Sequence, residues 1–538
     1  ATSVASGCDA IYSFLPHAVA STKLAAEFVV IALLTMLNLR GVKESVKTLM
    51  PIFIAFAVTH LGLILWGILR HGPALASLTV DTVHDTHLAI RDLGLLGVLG
   101  LSLRAFSLGG GTFTGIEAVS NGVQILREPR VQTANRTMLY MALSLSFTAG
   151  GILLCYLLND VHHVPGVTLN AVLWSDLTRG WHIGGVAISP ALVTITLLSE
   201  GLLLFLAAQT GFIDGPRTLS VMAVDHWVPK RFAHLSERLV TQNGVLIMAI
   251  ATVLVLAYTH GDVRLLVVMY SINVFITFTL SQLGMVRHWW EERHRERHWR
   301  RRLVLAVVGT VVTATILVIT SVVKFSQGGW VTLLVTGVLV AACLVVKRHY
   351  TQVRHVLRGL DEQLTDLPLP RQDHSPELSP EGPTAVVLVE SYSGLGVHTL
   401  LSVVRMFPRY FKNIVFVSVG LVDSGQFKGA EAIHQLEEQV RTDLERYVEL
   451  ASRMGYYAEY RHAVGTELIE ELEHMTLDLT REFRRTMVFT GQLVFQRETF
   501  FTRALHHETA FSIQRRLQFA GVQVVILPIR IWDTRKTA

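Results

Sequence analysis

RRLVLAVVGTVVTATILVITSVVKFSQGGWVTLLVTGVLVAACLVVKRHY (residues 301–350) holds two apolar runs, 303–323 and 330–346, the first following three arginines and the second ending at Lys347 and Arg348. A helix of about 20 mostly apolar residues crosses a bilayer, so this stretch reads as a pair of membrane spans closed by cations. Seven earlier segments read the same way: 24–39, 50–69, 96–126, 138–158, 188–212, 243–260 and 263–286. One such run could be a buried core helix, but nine in succession indicate a polytopic membrane protein. The opening residues, 1–16, have neither the basic start nor the apolar length of a signal peptide, and read as the end of a further membrane helix whose beginning is missing. Beyond Lys347 the apolar runs stop, which predicts at least two domains.

Composition agrees. The 538 residues are 51% hydrophobic and 17% charged, with a mean hydropathy of +0.43, whereas soluble proteins carry about 25% charged residues. Cys8, Cys155 and Cys343 show no CxxC spacing, which argues against disulfides and metal sites. Cationic residues recur after every second span: Arg40, Lys43 and Lys47; Arg127, Arg130 and Arg136; Lys230, Arg231 and Arg238; seven arginines between Arg287 and Arg302; then Lys347 and Arg348. Basic short loops face the cytoplasm, so the C-terminal part is expected there, at a bacterial-type cytoplasmic (inner) membrane. RHWWEERHRERHWRRR (287–302) lies between two spans and reads as a contact for anionic membrane lipid, not for nucleic acid.

Within the third span, SLGGGTFTGIEAVSNG (107–122) places Gly109, Gly110, Gly111 and Gly115 close together. Glycine weakens a helix where hydrocarbon demands paired backbone groups. A break beside a cavity would present free N–H and C=O groups to a solute or ion; the alternative is close packing through small residues. Ionisable residues inside spans point to function, and Glu117 and Glu200 are such residues. Desolvation disfavours a charged carboxylate, so either could carry a proton, or each could bond only a neighbouring helix. In the seventh span Tyr270, Ser271 and Asn273 bring hydroxyl and amide oxygens into an apolar helix, to line a cavity or to bond between helices.

At these residues the sequence resembles the amino acid–polyamine–organocation superfamily of permeases. NLRGVKES (38–45) is similar to the family's loop after helix four, and FTGIEAVSNGVQILREPRVQTANRTM (113–138) to helix six and its following loop. GPRTLSVMAVDHWVPKRFAHLSER (215–238) resembles a loop of pattern R…AMxRDGxLPxxFA, with matches at Arg217, Met222, Ala223, Asp225 and Pro229; Val224 and His226 stand where the family has Arg and Gly. The resemblance implies a LeuT-like helical bundle, in which the nine spans are family helices four to twelve and residues 1–16 the end of helix three. On that frame helices one and two, which bound half of the family's substrate site, are absent. It implies substrate contacts at Thr112, Phe113, Thr114, Gly115, Tyr270 and Asn273, a backbone break at Gly109–Gly111, and proton coupling through Glu117 and Glu200. TGIEAVSNG and YSINVFITFTLSQLGMVRHW are most similar to the KimA-type potassium importers, in which a helix-ten tyrosine contributes to potassium binding; Tyr270 is the matching residue.

The expected domains are a transmembrane domain over 1–347, a linker over 348–383 and a cytoplasmic α/β domain over 384–538. Five prolines between Leu367 and Pro383 make the linker semi-rigid. Strand candidates at 384–391, 413–420, 456–463, 486–495 and 522–529, with a helix around 429–453, predict a mostly parallel, doubly wound sheet. This tail resembles universal-stress-protein domains, but lacks their glycine-rich phosphate loop and any Walker A motif; SYSGLG (391–396) is a weaker counterpart, and paired glycines are more often a turn. The adjacent His506 and His507 point to different helix faces, which argues against a shared metal.

The expected function is secondary active transport, a proton-coupled symport of an amino acid or related amine, with potassium import by K+/H+ symport as the alternative and a non-transporting membrane sensor as a further one. No nucleophile–base motif marks an enzyme, and no cofactor is expected. The expected partners are a small-molecule or cation substrate and membrane lipid, with regulation of the tail by a ligand or by homodimerisation through it.

Overall fold

A computed structural model describes the chain apart from residues 42–45, 73, 110–118, 120–122, 124–125, 237–239, 365–376, 423–429, 496–508 and 532–538. It divides into two compact units: residues 1–215 with 245–340, and residues 216–244 with 341–538.

The first unit is helical. Its elements are α1 (Thr2–Tyr12), α2 (Lys23–Leu39), α3 (Val46–Arg70), α4 (Ala74–Leu108), α5 (Arg130–Leu158), α6 (Leu169–Leu177) and α7 (Ser189–Val224), followed by α8 (Gln242–Thr259), α9 (Val263–Glu291), α10 (Trp299–Lys324) and α11 (Gly329–Leu364). The last turns of α7 and the second half of α11 belong to the second unit. A two-residue hairpin, β1 (His182–Ile183) with β2 (Val186–Ala187), precedes α7. Among the described residues, eight helices are long and apolar enough to cross a membrane: α2, α3, α5 and α7 to α11. All but α8 extend beyond the apolar stretches that predict them, because backbone hydrogen bonding continues the helix into polar sequence. The segment 96–126 falls partly outside the described residues. Its first part lies in α4, which is interrupted at Gly94 (φ 72°, ψ 164°), a conformation that costs glycine least. The α-helix then ends at Leu108, one residue before Gly109.

The core described best in this unit lies where α3, α6 and α7 meet. Leu63, Ile64, Leu173, Trp174, Leu177 and Leu197 are sealed from solvent there, with Cys155 of α5. Gly67 and Gly151 permit the approach: a Cβ on Gly151 would lie 2.5 Å from the Ile64 side chain, and one on Gly67 2.9 Å from Cys155 Sγ. The short helix α6, which no apolar run announces, is begun by Thr168, whose hydroxyl caps Ala171 N–H at 3.3 Å.

The second unit holds a five-stranded, all-parallel sheet in the order β5-β4-β3-β6-β7: β3 (Thr384–Leu388), β4 (Asn413–Leu421), β5 (Tyr457–Gly465), β6 (Thr486–Phe495) and β7 (Val524–Ile531). The strands fall on the five stretches read from sequence. Alternation explains the two-sided core. Ala385 and Val387 of β3 pack with α12 (Gly394–Met406) and α13 (Ala430–Arg453), whereas Val386 and Leu388 face α14 (Leu468–Glu482) and α15 (Thr509–Phe519). Residues 348–364, expected as linker, differ: they continue α11 as a helix. Apolar Val353, Val356, Leu357, Leu360 and Leu364 recur there at helical spacing, and Leu364 packs on the sheet core beside Tyr447 and Leu400.

Candidate functional site

Three polar groupings stand out. In the first unit α1, α2 and the turn before α9 meet around Glu27, which is 0% exposed. Lys23, one turn earlier on α2, pairs with Glu27 at 3.7 Å and more closely with Asp9 of α1, and its Nζ also donates to the Gly261 carbonyl at 3.3 Å. Gly261 (φ 70°) lets the backbone press against the acid: a Cβ there would lie 2.4 Å from Glu27 Oε2. Neither carboxylate oxygen of Glu27 has a hydrogen-bond partner among the described residues. Lys23 and Glu27 lie within the span candidate Ala18–Leu39, where ionisable residues are functional candidates by default.

The second grouping surrounds Glu200 of α7. Its Oε1 accepts from Asn170 Nδ2 at 2.9 Å, and its Oε2 faces His60 Nε2 at 3.7 Å. Tyr156 Oη donates to Asn170 Oδ1 at 2.5 Å, and His60 Nδ1 lies 3.0 Å from the Phe56 carbonyl. A carbonyl only accepts, so Nδ1 carries the hydrogen in that contact and Nε2 is the ring nitrogen that faces Glu200. These contacts join side chains of α3, α5, α6 and α7.

Of the expected substrate residues, Tyr270 and Asn273 lie on α9. Tyr270 is half-buried, and Asn273 Oδ1 accepts from Thr336 Oγ1 of α11 at 2.9 Å, the interhelical use of the amide. The buried Ser271 hydroxyl donates to the Val268 carbonyl of its own helix. Gly109 follows α4, while Gly110, Gly111, Thr112, Phe113, Thr114, Gly115 and Glu117 lie outside the described residues. Asp9, Lys23, Glu27, His60 and Asn170 do not figure among the sequence expectations. The signal for Asp9 and Glu27 was present, an acid inside SGCDAIY and inside LAAEFVV. What gives them partners is a fold that joins Lys23 to Gly261, 238 positions away.

The third grouping is in the sheet unit. The strand order reverses at β3, and in open parallel sheets ligands sit beyond the strand ends at such a switch point. SYSGLG (391–396) is the turn there, with Ser393 capping α12 through the Gly396 N–H at 3.5 Å. The chain itself occupies this helix N-terminus. The Gly394 N–H donates to Asp361 Oδ1 of α11 at 2.6 Å, and a Cβ on Gly394 would come 2.7 Å from the Leu360 carbonyl. Tyr447 of α13 donates its hydroxyl to the Ser391 carbonyl at 2.8 Å and accepts from the Ser393 N–H at 3.2 Å. Burial pushes the Tyr447 phenol up to about 12. Among the described residues no cluster of three or more His, Cys, Asp or Glu suits a metal ion.

Residues 4–343 match the family model described as amino acid permease. The chain is also 29% identical over 365 residues to the potassium transporter KimA of Bacillus subtilis (strain 168), an alignment covering 68% of this chain and 57% of that protein. The chain therefore spans little more than half the length of this relative.

Proposed function

The chain belongs to the amino acid permease family, and on that premise we propose that it is a secondary active transporter of the cytoplasmic membrane, coupling entry of a small solute to entry of protons. The observation that supports the coupling is the pair of acidic groupings, Asp9–Lys23–Glu27 and His60–Glu200–Asn170–Tyr156. Each sets a carboxyl beside groups that can hold or pass on a proton. Glu117 joins them by its place in the glycine-rich span, and Thr112, Phe113, Thr114, Gly115, Tyr270 and Asn273 are the proposed solute contacts. The alternate basic loops support a cytoplasmic sheet unit.

Two cargoes fit. The family model favours an amino acid or related amine, whose carboxylate would rest on half-helix N–H groups. The name of the relative favours potassium, which oxygens such as Tyr270 Oη and Asn273 Oδ1 would coordinate. The deciding experiment is competition uptake by the complete protein in proteoliposomes under an inward proton gradient, with rubidium set against a panel of amino acids. Uptake of one class, competed only by its own members, assigns the cargo. Proton-dependent uptake that persists unchanged in Glu117→Gln/Glu200→Gln removes the coupling role given to those two acids.

A further inference from the structure

The second unit contains an ordered cluster of cations that the transport reading does not use. Where segment 216–244 folds against α11, a cavity of about 280 Å³ is lined by His226, Lys347, Thr351, Arg354, His355 and Arg358. None of these lining residues is acidic. Lys347, Thr351, Arg354 and Arg358 sit at positions i, i+4, i+7 and i+11 of α11 and so form one stripe of the helix.

The walls are built, not incidental. Lys347 Nζ donates to the Asp225 carbonyl at 2.6 Å and lies over the Trp227 ring, 5.1 Å from its centroid. The Arg354 guanidinium contacts His226 Nε2. Tyr350, 6% exposed, packs on the His226 ring and accepts from the Lys230 N–H at 3.4 Å. His226 itself has φ 62°, the left-handed backbone that glycine adopts readily and that the resembling permease loop provides for with Gly at this position. Here a strained histidine puts an imidazole in the cavity wall instead. Because a guanidinium can only donate, Nε2 of His226 is the acceptor and the ring is neutral. Burial, then Arg354, Lys230 and Lys347, hold the His226 pKa below its ordinary value of 6.5. The ring thus reports a positive field that no side chain lining the cavity neutralises.

We propose that this cavity is a phosphate-binding site, taking a phosphomonoester or phosphodiester on Lys347, Arg354 and Arg358. Guanidinium forks match phosphate oxygens two at a time. Two sources of phosphate reach it. Lys347 directly follows the apolar run and Trp227 covers it, which puts this end of the stripe at headgroup level. Arg358 lies 11 residues on, about 16 Å at 1.5 Å per residue, where a soluble phosphate has free access.

The test titrates the delipidated full chain with dioleoylphosphatidylglycerol, dioleoylphosphatidylcholine and inorganic phosphate, followed by native mass spectrometry for the lipids and equilibrium dialysis for phosphate. Arg354→Ala/Arg358→Ala should lose one bound anionic molecule, its affinity falling about tenfold or more with the charge-assisted bonds. Arg354→Lys/Arg358→Lys, which keeps the charge but loses the planar fork, should bind more weakly than the parent and more tightly than the alanine pair, and that retained binding excludes a folding defect. Phosphatidylglycerol retained selectively over phosphatidylcholine and not displaced by phosphate assigns the lipid as source; phosphate bound and displacing lipid assigns the soluble one. Binding of both phosphatidylglycerol and phosphate that is unchanged in the alanine pair overturns the proposal, as does binding of neither.

Discussion

Glu200 shows how one side chain can serve two purposes. Its Oε1 is held by Asn170 and its Oε2 faces His60, so Glu200→Gln keeps the first bond and removes the charge opposite the imidazole. The expected result is a folded protein, with solubility and thermal midpoint near those of the parent, whose uptake no longer responds to the proton gradient. Glu27→Gln tests the other acid. With the charge gone, Lys23 keeps Asp9 and the Gly261 carbonyl, so expression should persist while proton-driven uptake falls. In the segment that follows α7, His226 has a depressed pKa in the folded state. Folding therefore binds fewer protons there than the unfolded chain does, and the contribution to stability is complete above the unfolded value of 6.5 and lost as pH falls through the lower folded one. Replacing His226 by Gln should flatten that acid-side loss in a thermal-unfolding series from pH 7.5 to 5; an unchanged slope assigns the loss to other groups.

Among the elements, the end of α11 is fastened to the sheet unit. Asp361 and Leu360 at the end of α11 close on Gly394, and Tyr447 braces the same turn from α13. A Cβ on Gly396 would fall 1.8 Å from Tyr447 Oη, so Gly396→Ala should destabilise the sheet unit by about 1–3 kcal/mol through overpacking. Tyr447→Phe should cost about 1–2 kcal/mol by removing a donor to Ser391 and an acceptor for Ser393. The phenol also predicts a pH effect. Its folded pKa is raised to about 12 from 10.0, so the stability it adds is complete below 10 and lost as pH rises through 12; tyrosinate absorbance of the parent minus Tyr447→Phe reads this directly. Asp361→Ala should leave the sheet folded and raise hydrogen exchange over 355–364, since the bond that fastens the end of α11 to Gly394 is lost while the strands are untouched.

For the molecule as a whole, the spans and strands were legible because each is a local pattern: apolar length for a helix in lipid, short alternation-free runs for strands buried on both faces. Polar contacts were not, because their partners are remote in sequence. Glu27 needs Lys23, Asp9 and Gly261, and Glu200 needs residues from α3 and α6. The helical course of 348–364 was hidden by its charges, which mark the end of lipid but not the end of a helix. The end of α11 is a helix whose Leu364 packs on the sheet core. The central claim, secondary active transport, is tested most directly by measuring solute accumulation in proteoliposomes holding the complete protein, with and without an imposed inward proton gradient. The account predicts uphill accumulation of rubidium or of an amino acid that collapses when an uncoupler is added. Saturable binding of that solute with no flux across the membrane would contradict it and establish a sensor.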